Sequence, residues 1–210
     1  MLLGDAQAWI DRFISLDDRL LDRILVHWPA CVAALGPQPT EDMITINIVD
    51  RLCVDPVVRR LCHLVVYQHE PFGVAPDGTK YSKGKIDIAV LFDWEREHYL
   101  AYECKRLNVQ GSGGRSSLAT AYVSKGMMRF IIEQYAQDLP VGCMLGYVMD
   151  GNTAFAEQQV VRAIAKRSPL ALLSGPTSRP PLTPHPRFET RHTRHGGQQI
   201  DIRHTLLAYA

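Results

Sequence analysis

The sequence lacks the features that make several function classes easy to assign. Its five cysteines (Cys31, Cys53, Cys62, Cys104 and Cys143) include no CxxC pair and are odd in number. Neither a disulfide framework nor a zinc knuckle is therefore expected. They read as small buried hydrophobes in a reducing cytoplasm. No run approaches the ~18 consecutive apolar residues of a membrane span, and the N-terminus has no apolar stretch of the signal-peptide kind. A cytoplasmic protein with no membrane partner is expected. The P-loop pattern GxxxxGKS/T is absent, and Gly111-Ser112-Gly113-Gly114 lacks the full dinucleotide-binding spacing. No internal repeat is visible. Net charge is small, only +1, but unevenly spread. Residues 158–210 carry eight Lys/Arg and two Asp/Glu, whereas residues 1–157 carry fifteen and twenty. A basic tail beside an acidic front suits phosphate backbones and cations respectively. An ordinary solvated surface has the same composition.

What is present reads as an α/β chain whose 210 residues and 46% hydrophobic content suffice for one substantial core. Residues 5–27 show helical spacing through Trp9, Ile10, Phe13, Leu16, Leu20, Ile24 and Leu25. After the Gly36-Pro37-Gln38-Pro39 turn, Thr40 is a candidate N-cap for a helix running to about Cys53, with Glu41 and Asp42 in its first turn. Strands are predicted over 62–67, 85–92, 99–105 and 141–149, with loops at 71–83 and 111–117. The charged connection Asp93-Trp94-Glu95-Arg96-Glu97 is short enough for an antiparallel pair. A long helix is predicted over 118–136, with Ala121, Met128, Ile132 and Tyr135 on its apolar face, and another over 153–167. The Pro-rich stretch 174–186 reads as a loop, and strands 187–194 and 200–207 as a closing hairpin. The expected division is a helix plus α/β core over 1–173, with the Pro-rich connection and basic hairpin over 174–210 packed on it.

Alternation along a strand puts Glu103 and Lys105 on one face and Cys104, with Leu100 and Tyr102, on the other. Asp87, between Ile86 and Ile88, is expected on the Glu103 side. Antiparallel pairing in a suitable register brings both carboxylates together with Lys105 in reach. Two carboxylates so close repel unless a cation joins them, and an oxygen-rich site favours Mg2+ or Mn2+. The Cys104 carbonyl is a further candidate metal ligand. Lys105 can orient or deprotonate a water, or stabilise charge on phosphate. On spacing alone, a salt-bridge ladder on a solvated sheet face is the better fit to the trio.

Ile86-Asp87-Ile88 followed by Glu103-Cys104-Lys105 after a hydrophobic strand resembles the PD-(D/E)XK, or restriction-endonuclease-like, nuclease superfamily. Ile86 stands where that motif often has proline. The resemblance implies a mixed four-stranded sheet flanked by helices over roughly residues 40–150, with an N-terminal helical extension and a C-terminal hairpin. It implies metal held by Asp87 and Glu103, and Lys105 serving the attacking water. An added acidic ligand is implied too, Glu41 or Glu70, with Asp42 a weaker choice. The stretch YVSKGMMRFIIEQYA and the following GYVMDG resemble bacterial nuclease-like proteins, some associated with mobile elements or phage defence.

Substrate contacts are expected from Tyr122, Lys125 and Arg129 on the long helix and from Arg191 and Arg194 in the tail. Packing or solvation are the plain alternatives for each. His192 and His195 form a rival acid–base pair. The leading expectation is a metal-dependent DNA endonuclease, DNA being favoured over RNA as partner. A homodimer is expected by analogy, and a defence-system partner protein is a further candidate. The alternative is an inactive nuclease-like module that binds nucleic acid or protein.

Overall fold

The computed structural model describes residues 6–92, 94, 98–167, 170–180 and 185–209, and of residues 6–9 only the backbone. The predicted connection at 93–97 lies outside the described residues except for Trp94, as do residues 181–184 of the Pro-rich stretch. The fold is mixed α/β, a seven-stranded mixed sheet flanked by helices.

The chain opens with α1 (Ala6–Ala33), which runs past the predicted end at residue 27 and through Pro29. Its buried stripe of Phe13, Leu16, Leu20, Leu21, Ile24 and Trp28 outweighs the one hydrogen bond that proline removes. Thr40 caps α2 (Glu41–Val54) as expected, its Oγ1 accepting from the Met43 amide at 3.2 Å. Asp55 ends α2 and its Oδ1 accepts from the amides of Val57 and Val58 at 2.7 and 3.1 Å, just ahead of α3 (Val58–Leu61).

Four strands follow the predicted order: β1 (Leu64–His69), β4 (Ile86–Leu91), β5 (Tyr99–Leu107) and β8 (Val141–Val148). β1–β4 and β4–β5 are antiparallel, and β5–β8 is parallel. The segment 71–83, predicted as loop, instead contains a hairpin of β2 (Phe72–Val74) and β3 (Lys80–Ser82). Likewise 111–117 folds into a hairpin of β6 (Val109–Gly111) and β7 (Gly114–Ser116). Gly78 and Gly114 supply the left-handed backbone of these turns, φ +86° and +98°.

The predicted 118–136 helix is shorter and differently wound. It comprises α4 (Ala119–Ala121), a π-helical segment (Tyr122–Met127) and α5 (Met128–Ile131). The wider π turn shifts the buried face to Tyr122, Val123, Met127, Phe130 and Ile131. Of the four positions expected on the apolar face, Tyr135 is buried, Met128 is half-buried against the core, Ala121 is half-buried and Ile132 is exposed.

After α6 (Thr153–Ala165), part of the predicted Pro-rich loop is edge strand β9 (Leu172–Ser178). The closing hairpin, β10 (Arg187–Thr193) with β11 (Gln199–Ala208), is present, and β11 joins β8 in parallel. The sheet order is β1-β4-β5-β8-β11-β10-β9. Helices α1 and α2 lie on one side, where Tyr102 donates to Asp17 at 2.7 Å and Tyr147 meets Thr45 at 3.1 Å. The π segment covers β5 and β8 from the other side.

The basic tail has an internal explanation. Arg203 bridges Asp17 at 2.6 Å and Asp18 at 2.8 Å, and Arg187 bridges Asp18 at 2.6 Å, fastening the last hairpin to the first helix. Asp18 stays below the ordinary carboxylate range because the two guanidiniums outweigh its burial. Arg179 meets Glu189 at 2.7 Å. Among the described residues, no helix is long and apolar enough to cross a membrane.

Candidate metal centre

The register Ile88↔Tyr102 ends the β4–β5 ladder, and one further step would set Asp87 opposite Glu103. On its other side, β1 pairs with β4 at Tyr67↔Ile88 and His69↔Ile86 but not between them. Gln68 stands there with φ +52°, an uncommon value for a residue with a Cβ. The sheet thus opens on both sides of Asp87. Its carboxylate fills the opening, Oδ2 accepting from the Cys104 amide at 2.7 Å.

Lys105 is the centre of the cluster. Its Nζ lies 2.8 Å from Glu41 Oε1, 2.9 Å from Glu103 Oε1 and 3.7 Å from Asp87 Oδ2. It also donates to the Cys104 carbonyl at 2.6 Å. Glu41 uses its other oxygen to accept from the Arg106 amide at 3.0 Å. Its place as the first residue of α2 therefore brings it into the cluster rather than leaving it to serve the helix terminus alone. Glu70 is not brought in: its exposed carboxylate accepts from Ser82 Oγ at 2.6 Å on the hairpin. Asp42 lines the cavity beside the cluster, with Thr40, Glu41 and Lys105.

The face carrying Glu103 is not solvated. Glu103 is fully buried beneath the π segment, where a Cβ on Gly126 would stand 2.6 Å from Met144 Cε and 3.5 Å from Glu103 Cγ. Burial and the neighbouring Asp87 charge push the Glu103 carboxyl up to about 7, against the pull of Lys105 and Arg129. Burial also raises Asp87, opposed by Lys105. Lys105 moves the other way: burial disfavours its charge, but Glu103, Asp87 and Glu41 outweigh it and raise its pKa.

Arg129 projects into the cluster, but towards Glu103 rather than outward. Its Nη1 donates to both Glu103 oxygens, at 2.9 and 3.1 Å, and to the Tyr135 hydroxyl at 2.7 Å. Tyr135 in turn donates to the Lys85 carbonyl, anchoring the chain of contacts to the start of β4. Neither Tyr135 nor Gln68 stood out in the sequence; the periodicity marked Tyr135 only as a packed aromatic.

The other expected substrate contacts are placed elsewhere. Tyr122 is wholly buried, its hydroxyl 3.0 Å from His204 Nδ1, so it offers no ring to a ligand. Lys125 is exposed. Arg191 is held by both Asp201 oxygens at 2.6 and 2.9 Å, and buried Arg194 donates to the carbonyls of Gln137 and Ala136. Arg194 therefore satisfies carbonyls of the turn that follows the helical stretch rather than presenting charge to phosphate. His192 is buried against the Leu170 carbonyl and Thr190, whereas His195 is exposed. The pair does not converge, and the rival acid–base centre is not assembled.

The donors gathered by Asp87, Glu103, Glu41 and the Cys104 carbonyl are all hard oxygens, which suit Mg2+ or Mn2+. The Cys104 thiol points the other way, buried against the Tyr147 hydroxyl at 3.2 Å. Among the described residues, no three His, Cys, Asp or Glu side chains already stand at metal-binding spacing. The ammonium of Lys105 occupies the space between these oxygens. No family model, curated protein or solved structure matches the chain.

Proposed function

We propose that this protein is a divalent-metal-dependent nuclease that hydrolyses phosphodiester bonds, with DNA as its substrate. The observation that carries the reading is the convergence of Asp87, Glu103, Glu41 and the Cys104 carbonyl on the Lys105 ammonium, from elements separated in sequence. The run α2, β1, β4, β5, helical stretch and β8 supports a restriction-endonuclease-like core, because it supplies the mixed four-stranded sheet that the motif implies.

Asp87, Glu103, Glu41 and the Cys104 carbonyl would hold Mg2+ or Mn2+, which supplies Lewis acidity to the phosphoryl oxygen and lowers the pKa of the attacking water. The chain's own groups do the rest. The Cys104 amide fixes Asp87, and Arg129 aims Glu103 while favouring its charged form. Lys105 brings a positive charge to the attacking water or to the negative charge growing on phosphate. A cavity of about 340 Å³, lined by Thr40, Glu41, Asp42, Lys105 and Arg106, opens beside these groups and admits a backbone phosphate.

The test is incubation with supercoiled, linear and single-stranded DNA, and with RNA, in Mg2+, Mn2+ or EDTA. DNA cutting that disappears in EDTA and in a folded Lys105→Ala variant is expected. Cutting that persists in both refutes the reading. Binding without turnover under every metal condition points to the inactive module instead.

A further inference from the structure

The Lys105 ammonium stands where the resemblance would put a metal ion, and this has a consequence for loading. Its four oxygen neighbours lie at 2.6, 2.8, 2.9 and 3.7 Å. Mg2+ demands oxygens at about 2.0–2.1 Å, so both cations cannot share this set. We propose that Lys105 is an internal counter-ion which a divalent metal must expel, and that the expelled ammonium then becomes a phosphate-binding group in the adjoining cavity. The proposal rests on the metal-nuclease reading and adds an order of events to it.

Charge supports the exchange. Glu41, Asp87 and Glu103 form a trianionic cluster when ionised, with Lys105 and Arg129 as its two cationic partners. Adding a divalent ion while Lys105 stays would leave a net positive charge in a largely buried space. Releasing Lys105 restores neutrality. Arg129 is not the group to leave, because Tyr135 also holds its guanidinium and the Lys85 backbone tethers Tyr135. Among the described residues, the hydrogen bonds and ion pairs of Lys105 go to the candidate ligands themselves. The neighbouring cavity of about 340 Å³ already has Lys105 in its wall beside Arg106, leaving space for the chain to swing and the phosphate to enter. Metal loading thereby frees a cation that was neutralised before.

Titration of Mn2+ into wild type and Lys105→Met by calorimetry tests this without turnover. If the ammonium occupies its nest at least nine-tenths of the time, its removal tightens apparent metal affinity about tenfold or more. Tighter binding by Lys105→Met supports the proposal, including when wild-type binding is too weak to detect. Equal or weaker binding by a folded Lys105→Met overturns it while the metal reading survives. No binding by either protein overturns both.

Wild type provides a second readout that does not depend on the variant folding. The 1H–15N signal of the protected Lys105 ammonium is expected to lose protection as Mg2+ is added. A signal that stays protected at saturating Mg2+ contradicts expulsion.

Discussion

Replacing Arg129 with glutamine would remove the main partner of Glu103 besides Lys105 without removing any proposed metal ligand. Glu103 is fully buried, and its carboxyl already sits at about 7. Arg129 Nη1 reaches both carboxylate oxygens. Hydrogen bonds to charged groups are worth about 1.5–3 kcal/mol. Arg129 is 33% exposed, so solvent screening favours the lower end. A loss of about 1.4 kcal/mol raises the Glu103 pKa by about one unit, to roughly 8. If ionised Glu103 is required for activity, the acidic limb of a pH–rate profile falls about tenfold per pH unit below its pKa. For wild type that limb breaks near pH 7; for Arg129→Gln it shifts about one unit upward. Activity at pH 7 then falls severalfold and recovers by about pH 9. The assay is metal-dependent cleavage of a labelled DNA duplex from pH 5.5 to 9.5 at subsaturating metal, where the profile reports the metal-free enzyme. An unmoved acidic limb in a folded, active variant would refute the assigned role of Arg129. A uniform loss at every pH would show that Arg129 serves the substrate directly.

Two other predictions concern stability. Asp17→Ala leaves Arg203 and Arg187 buried without one of their two acidic partners, so denaturant melts should show a loss of about 3–5 kcal/mol; a change under 1 kcal/mol would contradict a fastening role. His192 and His204 are buried in one hydrogen-bonded chain through Thr190, and burial lowers the pKa of both. Depressed histidine values give stability that is present above the unfolded pKa near 6.5 and is lost as pH falls towards the folded values. By pH 5.5 each can contribute up to about 1.4 kcal/mol of loss. Glu103, whose folded pKa is raised, acts in the opposite direction between about 7 and its unfolded value. Wild type compared with Thr190→Val, which breaks the chain between the histidines, should therefore differ in the pH dependence of melting below 6.5. Parallel pH profiles would refute the coupling.

Much of the candidate site was legible because strand alternation is a short-range rule. It placed Glu103 with Lys105 and turned Cys104 towards α1 and α2. Glu41 was also within reach of sequence reasoning, since the Thr40 cap fixed the start of its helix. The choice between Glu41 and Glu70 required tertiary placement. Gln68 shows a different limit: a single positive-φ residue breaks the ladder beside Asp87, and no periodicity announces it. The 119–131 region misled for a related reason. No periodicity announces its π-helical segment, which turns Tyr122, Val123 and Met127 inward, and the stretch ends at Ile131, which leaves Ile132 exposed; its helical character was right. Tail arginines misled in another way. Composition counts charges but cannot see partners, and Arg187, Arg191 and Arg203 are paired with acids of this same chain.

Asp87, Glu103, Lys105 and Glu41 are proposed to form one metal-dependent phosphodiesterase centre. The most direct measurement is the cleavage rate of a defined DNA substrate in Mn2+ by wild type and by the near-isosteric Glu103→Gln variant, both verified as folded. Metal-dependent turnover by wild type and a loss of about a thousandfold or more in the variant are expected, since a buried metal-binding charge is removed. Equal rates for the two proteins would contradict that proposal.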